Sequence, residues 1–170
     1  MTKYSLILAL ICLSLSASTH AQSLDHLNLI AEKGDTIHLS QYKGKKLILL
    51  DFWASWCGPC RRFMPTVKKL QAKYGGEVEF ISIALQDSYA DWKEALTKEK
   101  MSWQQVLGVE RDGNRYKNND IGLFQNIAGI PAFILIDKNT KVIRKFGGID
   151  QDALPESRLS AELEKAVKGN

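Results

Sequence analysis

The segment Leu47-Ile48-Leu49-Leu50-Asp51-Phe52-Trp53 runs almost unbroken in apolar character. Such runs form strands of parallel sheets whose two faces are both covered. After it, Phe63, Met64, Val67, Leu70 and Tyr74 recur at helical spacing. The spacing predicts a strand turning into a helix, with Pro59 in the first turn, where a missing N–H costs nothing. Trp56-Cys57-Gly58-Pro59-Cys60 therefore lies at that junction. Cys57 falls at the helix N-terminus, where unpaired N–H groups and the macrodipole favour an anion, and thiolate is the form of cysteine that attacks a disulfide. Arg61 and Arg62 add positive charge nearby, or are simply solvated.

Two thiols in this spacing can make and break one disulfide. Cys57 is the expected nucleophile, giving a mixed disulfide that Cys60, one turn further in and less exposed, resolves. A zinc half-site is the competing reading, and metal binding is not expected: the one further cysteine is Cys12, and His26 and His38 are isolated from one another. An inert bridge would achieve little, because so short a loop hardly constrains the unfolded chain. Asp51 carries its own argument. A carboxylate inside an apolar strand is costly to ionise, so desolvation should raise its pKa and make it a proton acceptor for Cys60. The alternative is an acid that reaches water at the strand end. Ser82-Ile83-Ala84-Leu85, in the expected neighbouring strand, offers Asp51 no lysine.

Residues 1–21 read as a secretory signal: Lys3 is the positive start, Leu6 to Leu15 is apolar, and Thr19-His20-Ala21 offers a cleavage site before Gln22. The apolar stretch is short for a bilayer span; an uncleaved anchor is the alternative. Cleavage at 21 of 170 residues would leave 149, enough for one domain over residues 22–170 with a full core. Net charge would fall from +4 to +3 by loss of Lys3, too little and too dispersed for nucleic acid. An oxidising compartment would fill an unprotected Cys-x-x-Cys with a disulfide, so a mature chain with these two cysteines invites a redox role, or stays permanently oxidised.

Residues Leu27 to Ile30 and Thr36 to Leu39 read as a hairpin around Glu32-Lys33-Gly34-Asp35, where glycine can take positive φ. Gly75-Gly76 is the expected helix stop, and Glu77 to Leu85 a second strand, parallel to the first. Tyr89 to Lys100 fits an amphipathic helix and Trp103 to Val106 a short strand. Glu110 to Asp120, with Asp112-Gly113-Asn114, reads as a loop before a short helix around Ile121 to Asn126. Ala132 to Asp137 and Lys141 to Phe146 form a hairpin across Lys138-Asn139-Thr140. Leu159, Leu163, Ala166 and Val167 set a closing helix, with Pro155 near its start. The sum is an α/β fold, a mixed central sheet flanked by helices. Phosphate-binding glycine motifs and a Gly-x-Ser-x-Gly elbow are absent.

Asp51-Phe52-Trp53-Ala54-Ser55-Trp56-Cys57-Gly58-Pro59-Cys60 resembles the thioredoxin active site, and Gly129-Ile130-Pro131-Ala132-Phe133 resembles its cis-proline segment. Pro65 matches the family's helix kink, and Gly147-Gly148 the glycine beside its substrate groove. The export signal, the N-terminal hairpin leading into Tyr42-Lys43-Gly44-Lys45 and the long segment between Gln86 and Asp120 are similar to extracytoplasmic thiol-disulfide oxidoreductases of the TlpA/ResA type, over roughly residues 27–168. This resemblance implies a thioredoxin fold with an N-terminal β-hairpin extension and a central insertion. It further implies a cis Ile130-Pro131 bond and substrate binding by Trp56, Gly58, Pro59, Ile130 and Pro131, with Asp51 relaying the Cys60 proton; Trp53 would pack in the core. Many members of the branch carry a glutamate where this chain has Phe63, so specialised cytochrome c maturation is not implied.

The function implied is reduction of disulfides in exported proteins, in the periplasm or another extracytoplasmic space, without metal or organic cofactor. Electrons would come from a membrane or extracytoplasmic thiol donor. The alternatives are a disulfide oxidase or isomerase, a thiol peroxidase, and a non-catalytic binding module.

Overall fold

A computed structural model describes residues 23–110, 127–147 and 156–169. The predicted signal segment, the loop beyond Glu110, the 121–126 helix, Gly148 and Pro155 lie outside them.

The apolar run forms β3 (Leu47–Trp53), buried along its whole length. Two short strands precede it, β1 (Asn28–Ile30) and β2 (Thr36–His38), paired antiparallel. Gly34 turns their hairpin at φ +90°. A 3₁₀ turn, Leu39–Tyr42, leads on to β3. Helix α1 (Gly58–Tyr74) follows, then β4 (Val78–Asp87), α2 (Tyr89–Glu99), β5 (Gln104–Glu110), β6 (Ala132–Ile136), β7 (Val142–Gly147) and α3 (Glu156–Lys168). The main sheet has the order β5-β4-β3-β6-β7. β3, β4 and β5 are parallel, whereas β6 and β7 run antiparallel to their neighbours. In this register Asp51 lies between Ser82 of β4 and Phe133 of β6.

Alternation divides the sheet into two apolar faces. Leu47, Leu49 and Trp53 meet Met64, Val67 and Leu70 of α1, together with Trp92 of α2 and Leu159 and Leu163 of α3. Ile48, Leu50 and Phe52 face Leu27, Leu29, Ile37 and Leu39. Among the described residues the second face is thus covered by the N-terminal hairpin and 3₁₀ turn rather than by a helix. The hairpin is also tied to the sheet edge, where Glu32 N–H donates to the Gln105 carbonyl at 2.9 Å.

Several boundaries differ from the expectations. β5 continues past Val106 because Leu107 and its neighbours keep pairing with β4, and Gly108 permits the close approach: a Cβ there would lie 2.7 Å from Ile83 Cγ2. Gly75 caps α1 at φ −62°, so positive φ is not its purpose. Steric room is, since a Cβ would stand 2.7 Å from the Gln71 carbonyl oxygen. α2 ends at Glu99, one residue before the expected end, because Lys100 takes the left-handed conformation at φ 51°.

Candidate functional site

The β3–α1 junction brings Cys57 to the N-cap of α1, with extended backbone, while Pro59 occupies the first turn. Cys57 and Cys60 are joined as a disulfide, their Cα atoms 5.3 Å apart. The Cys60 amide donates to Cys57 Sγ at 3.2 Å. In the reduced protein this N–H and the helix N-terminus both favour a Cys57 thiolate. Exposure does not separate the two roles as the sequence suggested: Cys57 is 4% and Cys60 3% exposed, and the Ile130 segment lies against Cys57. Arg61 spends its charge elsewhere, pairing with Glu99 of α2 at 3.2 Å.

Part of the surroundings comes from the segment before β6. The Ile130–Pro131 peptide bond is cis. The Ile130 carbonyl oxygen lies 3.8 Å from Cys57 Sγ, a contact only, since a disulfide sulfur has no proton to donate. Gly147 of β7 holds this segment from behind, at φ +76°, with the Pro131 oxygen 2.2 Å from where a Cβ would stand. Phe63 packs its ring on Phe133, centroids 5.5 Å apart.

Asp51 does not reach water; it is 3% exposed. Burial pushes its carboxyl up from an ordinary 3.8 to about 7, opposed by the Ser82 hydroxyl, which donates to Oδ2 at 2.8 Å. A group titrating there can exchange protons near neutral pH. Trp53 is fully buried in the core, as expected, whereas Trp56 is 53% exposed.

Sequence reasoning missed what holds Trp56 in place. The Ser55 N–H donates to Asp87 Oδ2 at 2.7 Å, and the Ser55 hydroxyl donates to the other oxygen. The indole N–H of Trp56 donates to the Gln86 carbonyl at 3.0 Å, with Gln86 in the left-handed region at φ 55°. Asp87 is fully buried, so the C-terminal end of β4 clamps the two residues before the nucleophile. The only trace in sequence is an acid closing an apolar strand. Beside Trp56 a groove of about 330 Å³ is lined by Ser55, Arg61, Asp91, Glu94 and Lys98. Among the described residues no three His, Cys, Asp or Glu side chains group to hold a metal ion.

A family model described as Redoxin matches residues 16–163. The thiol-disulfide oxidoreductase ResA of Bacillus thuringiensis subsp. konkukian is 28% identical over 117 residues, 68% of this chain and 62% of that protein. Thioredoxin-1 of Drosophila melanogaster is 31% identical over 121 residues, covering 71% and 82% of the two chains. The solved thioredoxin domain of a thiol-disulfide oxidoreductase from Bacteroides vulgatus superposes with a TM-score of 0.67 at 28% identity, over 86% of this chain and 94% of that one. The architecture is thus the thioredoxin fold. Several curated relatives are matched over only 36% to 62% of their length, so the chain spans less than two thirds of them.

Proposed function

We propose, since the chain belongs to the Redoxin family, that it is a thiol-disulfide oxidoreductase that reduces disulfides in exported proteins through Cys57 and Cys60. The observation that carries the reading is the Cys57–Cys60 disulfide at the N-cap of α1, with the Cys60 amide aimed at Cys57 Sγ.

In the reduced protein the Cys57 thiolate attacks one sulfur of a substrate disulfide. The S–S bond breaks, the other substrate sulfur leaves as a thiolate that takes a proton from water, and a mixed disulfide forms. Asp51 takes the Cys60 proton, and the Cys60 thiolate attacks Cys57 Sγ. The second substrate thiol departs, and two electrons have passed to the substrate, leaving the protein disulfide. An external dithiol, a thiol protein of the membrane or the extracytoplasmic space, then supplies two new electrons to the Cys57–Cys60 disulfide and is itself oxidised to a disulfide. Trp56, Gly58, Pro59 and the Ile130-Pro131 backbone line the surface against which an extended substrate segment would lie.

The export reading rests on the pattern of residues 1–21, with Lys3 before an apolar stretch and Thr19-His20-Ala21 before Gln22. No helix among the described residues is long and apolar enough to cross a membrane.

Equilibration of the Cys57/Cys60 couple with thiol-disulfide buffers tests the direction. A potential near about −270 mV fits a reductase; one near about −120 mV would make the protein an oxidant.

A further inference from the structure

Asp51 is the buried acid of β3, and its side-chain hydrogen-bond donor, Ser82, is itself held by a group that neither the motifs nor the mechanism uses. The Trp103 indole nitrogen lies 2.8 Å from Ser82 Oγ, and Ser82 Oγ lies 2.8 Å from Asp51 Oδ2. An indole N–H can only donate, so Ser82 must accept from Trp103. A hydroxyl has one proton. One lone pair takes the Trp103 N–H, and the single proton is directed at Asp51 Oδ2 at 2.8 Å. The three groups sit on three adjacent parallel strands or their ends: Asp51 on β3, Ser82 on β4, and Trp103 immediately before β5. Ser82 is fully buried, so no water competes for its hydroxyl.

We propose that Trp103, Ser82 and Asp51 form a one-way hydrogen-bond chain in which the Trp103 indole fixes the Ser82 hydroxyl as a donor to Asp51 and so favours the ionised, proton-accepting form of that acid. Trp103 is then a positioning residue acting through Ser82. The chain supplies by neutral dipoles what a lysine in the neighbouring strand would supply by charge.

The surroundings of Asp51 leave few competitors. Phe133 faces it from β6 and cannot ionise. α1 contributes Cys57, Cys60 and Tyr74 to the same cluster, α2 contributes Trp92, Ala95, Leu96 and the partly buried Tyr89, and α3 contributes Leu159 and Leu163. With the disulfide intact neither cysteine titrates, so Asp51 can be followed without them.

This inference rests on the proposed function only for its consequence, the service of Asp51 to Cys60. Its test needs neither substrate nor turnover. Carboxyl-¹³C NMR of the oxidised full chain gives the Asp51 midpoint. Ser82→Ala should raise that midpoint by about one pH unit, the equivalent of one hydrogen bond to a charged group. Trp103→Phe should raise it by a smaller amount, and adding Trp103→Phe to Ser82→Ala should raise it no further. Ser82→Thr, which keeps the hydroxyl, should stay near the parent. In the unmutated protein the Trp103 indole N–H resonance should titrate with the Asp51 midpoint, a readout that needs no variant to fold. A Trp103 resonance insensitive to that titration would overturn the chain. So would a Trp103→Phe midpoint equal to the parent's, or an equal shift with and without Ser82. If the midpoints move as expected while disulfide reduction by the same variants keeps an unchanged pH profile, the chain stands and the proton-relay role of Asp51 falls.

Discussion

Replacing Asp51 by Asn should make the oxidised protein gain stability relative to the parent as pH rises, in a way no other single substitution in β3 would. The native carboxyl titrates at about 7 because it is buried, against 3.8 when solvated. A group whose pKa is raised on folding contributes its stability in full below the unfolded value, and that contribution is lost as pH climbs through the folded one. The parent should therefore weaken between about pH 4 and pH 7 and level off above. At about 1.4 kcal/mol per pH unit, the interval from 3.8 to about 7 corresponds to something on the order of 4 kcal/mol. Asn carries no charge to desolvate, and its carbonyl can still accept from Ser82, although its amide loses roughly 1–3 kcal/mol if unpaired. That loss is the same at every pH, so the quantity to read is the change in the difference between the two proteins. Guanidinium unfolding of parent and Asp51→Asn at pH 3, 5 and 8, disulfide intact, should show the difference shifting in favour of Asn by about 4 kcal/mol across the range, with equal m-values. A difference that stays constant with pH would refute a buried, ionising Asp51.

Asp87→Asn should leave one Ser55 donor without its carboxyl partner, destabilise the protein by about 1–3 kcal/mol and slow disulfide reduction, measured by denaturant midpoint and turnover of a disulfide protein. Gly147→Ala should cost about 1–2 kcal/mol for the left-handed backbone, and more for the Cβ forced on the Pro131 carbonyl, seen as a lower unfolding midpoint at constant m. Trp56→Ala, at a half-exposed position, should change stability by less than about 1 kcal/mol but lower kcat/KM for a protein disulfide roughly tenfold.

What was legible in the sequence was local or periodic. Leu47 to Trp53 announced a strand buried on both faces, and the spacing from Phe63 to Tyr74 announced the helix that carries Cys57 at its cap. Asp51 was legible as well, since an acid at an inward position of such a strand has nowhere to go. The contacts that support these residues were not. Ser55 and Asp87 lie 32 positions apart and Trp103 and Ser82 lie 21 apart. They meet because parallel pairing sets Asp87 at the end of β4 beside the end of β3, and Ser82 in mid-β4 beside the start of β5, and no pattern within one strand reports the register of the next. The covering of the second face was not legible for a related reason. A continuous apolar run says that both faces are buried but not by what, and here Leu27, Leu29, Ile37 and Leu39 of the expected hairpin and the turn after it supply the cover among the described residues. The similar burial of Cys57 and Cys60 was equally hidden, because the neighbour at Ile130 arrives from 73 residues away.

The most direct test of dithiol exchange is to trap its intermediate. Reduced Cys60→Ser protein, mixed with a peptide containing one disulfide, should be converted to a mixed disulfide at Cys57, visible by intact-mass spectrometry and mapped by digestion, while Cys57→Ser under the same conditions should form little or none. Adducts forming equally on Cys60 in Cys57→Ser, or no adduct on either, would contradict the assignment of Cys57 as nucleophile and Cys60 as the thiol that resolves it.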